Sequence, residues 1–128
     1  MVCAIHFAQW AEFAAGWNGV AFRFLFVAED DRLFAASLKT HGPSPLASER
    51  YVQERSLFSF IVSGFSVLEC FCYSLCAAAS VPYPKTFRMA DRKYQRDVKP
   101  ETTLHELQAE VPNDAITSAL NEIVDSTE

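Results

Sequence analysis

Glu69 is the residue whose type and place most invite chemistry. It is a carboxylate in the stretch 57–81, which holds no other side chain that is charged near neutrality. A carboxylate buried among apolar side chains has to be paired or protonated. Tyr73 lies one helical turn on, within reach of a shared hydrogen bond. Among cations, Arg55 is too far along the same stretch, which leaves Arg23 from the first segment as the better partner. Such a contact fixes the register of two helices. General acid or base work would need a second carboxylate or a histidine beside it, and the sequence places none there. With Arg50 and Arg55 at the start of the same stretch, these residues make one candidate polar cluster: Arg23, Arg50, Arg55, Glu69 and Tyr73.

The thiols are the second possibility. Cys72 and Cys76 stand four apart and share a helix face, a spacing that would supply two of the four ligands of a zinc site. His6, His41 and His105 are scattered and form no H-x3-H or H-E-x2-H pattern. The expectation is therefore core cysteines, with no metal and no cofactor. Cys70, Cys72 and Cys76 fall within seven residues of one helix and make no disulfide framework. The start of the chain has no basic region ahead of its apolar residues, so it does not read as a signal peptide. Reduced thiols in a cytoplasmic protein follow. No G-x-S-x-G, P-loop or dinucleotide fingerprint occurs, and no nucleophile has an adjacent base. These features point away from an enzyme.

The element that must position these residues is the stretch 48–80, the longest apolar run, with no proline between Pro45 and Pro82. It predicts a helix over about 47–80, with Ser48 as N-cap. Leu57, Phe60, Val67 and Phe71 lie on one side of it, and Phe58, Val62, Phe65 and Cys72 on another. A helix that is apolar nearly all round is expected to be buried. A third stripe, Ser56, Ser59, Ser63, Ser66, Cys70, Ser74 and Ala77, recurs at spacings of three and four. That seam of small side chains predicts a close neighbour, with serine hydroxyls bonding back along their own helix. By length and apolarity, 57–81 also passes for a membrane-spanning segment. Glu69 and the polar seam favour a soluble bundle instead.

Around this helix the chain supplies others. Residues 4–28 predict a helix with Phe7, Trp10, Phe13 or Ala14, Trp17, Ala21, Phe24 and Ala28 along its inner face. Gly16 and Gly19 weaken it or mark a close approach to the seam. Glu29-Asp30-Asp31 is a break or an exposed turn before a continuation through Leu33, Phe34 and Leu38, closed by Gly42 as C′ residue. Residues 41–45 form a loop. Residues 85–100 read as a basic connecting loop with one helical turn, anchored by Phe87, Met89, Tyr94 and Val98. A short helix follows, with Thr103 as cap, Glu106 completing a capping box, and Leu104 and Leu107 facing inward. Asn113 caps a last helix carrying Ile116, Leu120, Ile123 and Val124. The end at Glu128, with no closing basic turn, reads as a truncated chain. The expected fold is all-α, one helical domain over 1–128 with an up-and-down bundle around the central helix.

Charge is unevenly distributed. Residues 1–84 hold five basic and seven acidic side chains, 85–100 hold six basic and two acidic, and 101–128 hold seven acidic and no Lys or Arg. The basic segment could meet phosphate or nucleic acid. An overall charge of −5 favours instead that it pairs with the acidic tail or with solvent.

Arg50-Tyr51 and Arg55, followed by an aromatic-rich helix with Glu69 and Tyr73, resemble uncharacterised bacterial all-α proteins similar to the HEPN superfamily. The resemblance covers about residues 8–80. It implies a helical scaffold, a homodimer and, for active members, RNA cleavage by an R-x4-6-H motif on a late helix. No arginine precedes His6, His41 or His105 at that spacing, so the catalytic inference does not carry over. A segment of that kind would follow Glu128. The leading expectation is a soluble cytoplasmic binding or toxin–antitoxin-type module without its own catalysis. The alternatives are an RNase with an unrecognised site and a small membrane protein spanning through 57–81.

Overall fold

The computed structural model describes residues 2–43 and 46–126, with side chains from residue 7 onward. It is all-α, as the sequence predicts, and no strand occurs among the described residues. Five helices follow in order: α1 Val2–His41, α2 Ala47–Ala79, α3 Arg92–Arg96, α4 Pro100–Glu110 and α5 Ala115–Asp125. The chain divides into two compact units, one of residues 1–17 with 69–128 and one of residues 18–68. Each long helix contributes one part to each unit.

α1 runs unbroken through the acidic triplet. No proline or glycine interrupts residues 20–41, and two of the triplet's side chains have partners that suit a helix. Glu29 and Arg32, three apart, form an ion pair at 2.6 Å, and Asp30 accepts a hydrogen bond from Ser59 Oγ at 2.6 Å. α1 ends at Gly42, where φ is +72° and the N–H bonds to Leu38 O at 2.8 Å, a left-handed C′ position that suits glycine. Of the expected loop over 41–45, residues 44 and 45 lie outside the described residues.

α2 begins one residue earlier than its expected cap. Ser48 sits inside the first turn and donates to Glu49 Oε2 at 2.7 Å, which holds the Glu49 carboxyl below its ordinary pKa.

The unit of residues 1–17 and 69–128 has a defined core. Cys72, Cys76 and Ala77 of α2 are fully buried, together with Phe87, Met89, Leu104, Leu107 and Leu120. Phe87 and Met89 anchor the basic connection as predicted, while Tyr94 and Val98 are half-buried. The close approach read from the seam occurs at Gly16: an added Cβ would overlap Ser74 Oγ and lie 3.3 Å from the Ser74 backbone nitrogen. Ser74 bonds back to Cys70 O at 3.0 Å, the local bond that lets a buried hydroxyl face a neighbouring backbone.

The caps of the short helices differ from those read in the sequence. α4 starts at Pro100, a residue suited to the first turn, and Thr102 Oγ1 accepts from Lys99 N at 3.1 Å. Thr103 is buried against Cys76, and Glu106 is taken by Tyr94, so neither serves the cap. Asp114, not Asn113, caps α5, accepting from Ile116 N at 2.8 Å. On α5, Leu120 is buried and Val124 half-buried, while Ile116 and Ile123 are exposed and Thr117 fills the inner face.

In the unit of residues 18–68, α1 and α2 form an antiparallel hairpin. Asp30 meets Ser59, and Gln53 Nε2 donates to Gly42 O at 3.1 Å. Among the described residues of this unit, Val20, Gln53 and Ser56 are the buried ones.

Candidate interaction surface

The residues lining the helix–helix seam are the small and polar ones. On α2, Ser56, Ser74 and Ala77 are buried and Ser59, Ser63, Ser66 and Cys70 half-buried, as the spacing predicts. On α1 the inward line is Gln9, Phe13, Gly16, Val20, Arg23, Val27, Asp30, Phe34 and Ser37, each buried or half-buried and spaced by three or four. This corrects the expected inner face of α1. Phe7, Trp10, Ala14, Trp17, Ala21, Phe24 and Ala28 are all exposed, leaving Phe13 alone of that stripe half-buried. At Gly16 the α2 seam comes too close to admit a larger side chain; Phe13 and Phe34 are the phenylalanines that stay on the inward line, and the rest of the aromatic stripe turns outward.

The outcome on α2 is mixed: of the two sides expected inside, Cys72 is buried and Val67 and Phe71 half-buried, while Leu57, Phe58, Phe60, Val62 and Phe65 are exposed. Ile61 is exposed as well, as are Phe22, Phe24, Leu25 and Phe26 of α1. All ten belong to the hairpin of residues 18–68. Their spacing groups the bulkiest into two ridges. Phe22 and Phe26 stand one turn apart on α1, and Phe58, Val62 and Phe65 stand at i, i+4 and i+7 on α2. The Asp30–Ser59 register sets residues 22–26 alongside 63–67. Asp30, Ser59 and Gln53 of this unit find their partners at its centre, while these ten apolar side chains face out.

Glu69 is exposed, which overturns the buried carboxylate expected from its apolar surroundings. Residues 69–79 are covered on the seam side and by α4, and Glu69 falls on the remaining face. Tyr73 donates instead to Glu12 Oε2 at 2.5 Å; burial and that bond push its hydroxyl pKa up. Arg23 is half-buried and donates to Gly19 O at 3.4 Å within its own helix. Arg50 and Arg55 are exposed. Among the described residues, no hydrogen bond or ion pair joins any two of Arg23, Arg50, Arg55, Glu69 and Tyr73. Sequence reasoning missed Glu12 as the partner of Tyr73. The available signal was its place in α1, one turn before Gly16.

The thiols form a structural cluster. Cys76 Sγ lies 3.5 Å from Thr103 Oγ1 and receives a weak contact from Tyr94 Oη at 3.8 Å. Tyr94 also hydrogen-bonds Glu106. Burial pushes the Cys72 thiol up to about 12, helped by the neighbouring Cys76, and raises Cys76 as well. Such thiols are poor nucleophiles and poor metal ligands. No group of three or more His, Cys, Asp or Glu suited to a metal ion occurs among the described residues. Cys3 and His6 lie outside the described side chains.

A groove of about 870 Å³ lies between the start of α1 and α3, lined by Gln9, Glu12, Met89, Arg92, Gln95 and Arg96. Glu12 there is committed to Tyr73 and Gln9 Nε2 to Ser80 O, while Gln9 Oε1 is buried without a hydrogen-bond partner. The basic segment makes no ion pair with the acidic tail among the described residues, where Glu29–Arg32 is the single pair. Tyr94 instead lies under the Arg88 guanidinium, 5.5 Å from the ring centroid.

No protein-family model matches the chain, and no curated protein and no solved structure matches it.

Proposed function

We propose that this chain is a non-catalytic helical interaction module, acting by association through the hairpin of residues 18–68. One observation carries the reading: the hairpin turns Ser56, Ser59, Ser63, Ser66, Arg23 and Asp30 inward and every one of its phenylalanines but Phe34 outward. Apolar surface of that extent is removed from water when the protein works. The thiols with raised pKa, the separated polar cluster and the exposed Glu69 offer no nucleophile, base or metal set to support chemistry. A HEPN-like scaffold and a cytoplasmic setting agree with this reading, and the unpaired basic side chains of 85–99 leave RNA as a partner of the second rank.

A second reading has its own observation. α2 is long and apolar enough to cross a membrane, and 22% of its apolar window is buried. Sedimentation of a cell lysate without detergent separates the two. The interaction module is expected in the supernatant. Recovery only from the detergent-extracted membrane pellet would overturn it.

A further inference from the structure

The geometry points to the groove between the start of α1 and α3 as a binding site for a small dipolar ligand, its carboxylate held by Arg92 and Arg96 and its N–H groups by Glu12 and Gln9. A free α-amino acid and the C-terminal end of a peptide share that chemistry. The groove lies within the unit of residues 1–17 and 69–128, so the site stands apart from the hairpin surface proposed above.

Charges of opposite sign line this groove without meeting. Arg92 and Arg96 stand one turn apart on α3, and Glu12 comes from α1. Neither arginine pairs with Glu12, since Glu29–Arg32 is the single ion pair among the described residues. Both arginines are exposed. The Arg92 guanidinium has no hydrogen bond among the described residues. Arg96 uses only Nε, which donates to Arg92 O at 3.3 Å, so the terminal nitrogens of both remain for an anion. A planar carboxylate accepts paired N–H bonds from such a fork. Glu12 gives Oε2 to Tyr73 and keeps Oε1. An occupant that is negative at one end and donates at the other satisfies both sides at once. A phosphate monoester would set about two negative charges against Glu12 and bring no donor.

Gln9 adds a second acceptor beside Glu12. Its amide is oriented by the bond from Nε2 to Ser80 O at 3.1 Å, and its Oε1 is buried without a hydrogen-bond partner. A buried acceptor left unsatisfied marks a place where a donor belongs.

The groove, about 870 Å³, falls within the ~300–1,000 Å³ of small-molecule sites. Ala8, Met89 and Ala90 supply its apolar lining. The segment that carries the arginines is already fixed. Met89 is 4% exposed, Gln95 Nε2 donates to Met89 O at 2.6 Å, and Asp91 accepts from Lys93 N at 2.8 Å. Binding therefore does not first have to order it.

The test is a titration of the full chain followed by ¹⁵N–¹H correlation spectra. The probes are an equimolar mixture of the common amino acids and an equimolar tripeptide library, each as free acids and as amides. Free acids are expected to shift the amide signals of residues 8–12 and 89–96, and the amides to bind about tenfold more weakly or worse. Free amino acids saturating at the lower concentration assign the single molecule as ligand, and tripeptides doing so assign the chain end. An Arg92→Gln, Arg96→Gln double variant with unchanged circular dichroism is expected to lose the shifts. Lys85→Gln, an exposed cation outside the groove, is expected to keep them. The comparison of acids with amides uses the wild type, so a variant that fails to fold leaves the test standing. Equal binding of acids and amides overturns the carboxylate. Propionate, which has no N–H group, binding as well as the free acids overturns the donor end. Adenosine monophosphate binding more tightly than every free acid overturns the ligand class, and an absence of shifts with every probe overturns the site.

Discussion

Gly16→Ala is expected to destabilise the protein although it replaces a helix-interior glycine by the best helix former. In an open position the change gains ~1 kcal/mol of helix propensity. Here the added Cβ overlaps Ser74 Oγ and stands 3.1 Å from Tyr73 Cδ1 and 3.3 Å from the Ser74 backbone nitrogen. The Ser74 hydroxyl can yield only by leaving Cys70 O, a bond worth ~0.5–1.5 kcal/mol, and the backbone cannot yield without parting the helices. Overpacking of this kind costs ~1–3 kcal/mol, so the net expectation is a loss of ~1–2 kcal/mol. Removing the obstacle tests the cause: in a Ser74→Ala background the same Gly16→Ala change is expected to cost ~1 kcal/mol less, because the overlap with the hydroxyl is gone and the wider contacts with Tyr73 Cδ1 and the backbone remain. Urea unfolding followed by circular dichroism, with all four members of the cycle, reads both numbers. A Gly16→Ala protein more stable than the wild type would refute the close approach, and equal costs in the two backgrounds would refute Ser74 as its cause.

Three further outcomes concern the thiols and the hairpin turn. In a Cys3→Ser background, a chromogenic disulfide reagent is expected to modify half-buried Cys70 first and to reach Cys72 and Cys76 only on unfolding. Because Cys72 is raised from 9.0 to about 12, the folded chain keeps a proton that the unfolded chain releases. Its contribution to stability is therefore complete below about pH 9 and is lost as pH rises towards 12, so the urea midpoint falls across that window and falls less in Cys72→Ala. At the turn, Gly42→Ala forces a side chain onto a φ of +72° and is expected to cost ~1–2 kcal/mol, with Gly42→Asn costing less; a thermal melt distinguishes them.

The fold class, the extent of α2 and its small-residue seam were legible in the sequence. Proline and glycine positions bound the helices, and a stripe of small side chains at spacings of three and four has few other meanings. Gly42 was legible for the same reason, since its place after His41 suits a left-handed C′ residue. The inward face of α1 was not. Hydrophobicity named Phe7, Trp10, Trp17 and Phe24 as core, but which face of a helix turns inward depends on what its neighbour can accept, and the α2 seam accepts Gly16 and Val20. Glu69 was misread by a related assumption, that an apolar helix is covered on every side. In the run of α1 through Glu29-Asp30-Asp31, the Glu29–Arg32 pair is local, but the partner of Asp30 is Ser59, 29 residues away, which no local pattern reports. Among the site residues, Tyr73 was correctly picked as a hydrogen-bond donor but given the wrong acceptor, because its partner comes from another helix.

A row of near-identical small side chains is translationally degenerate. Shift α2 past α1 by one heptad, ~10.5 Å, and Ser63 falls where Ser56 stood, and Ser66 where Ser59 stood, so Asp30 would still find a hydroxyl. The seam alone therefore does not choose between these alignments. What chooses is the connection between His41 and Ala47, too short to pay out seven residues, with Gln53 tied across it to Gly42 O. The loop sets the alignment that the serines merely permit, and a chain with that loop lengthened by a heptad would have two hairpins to fold into rather than one.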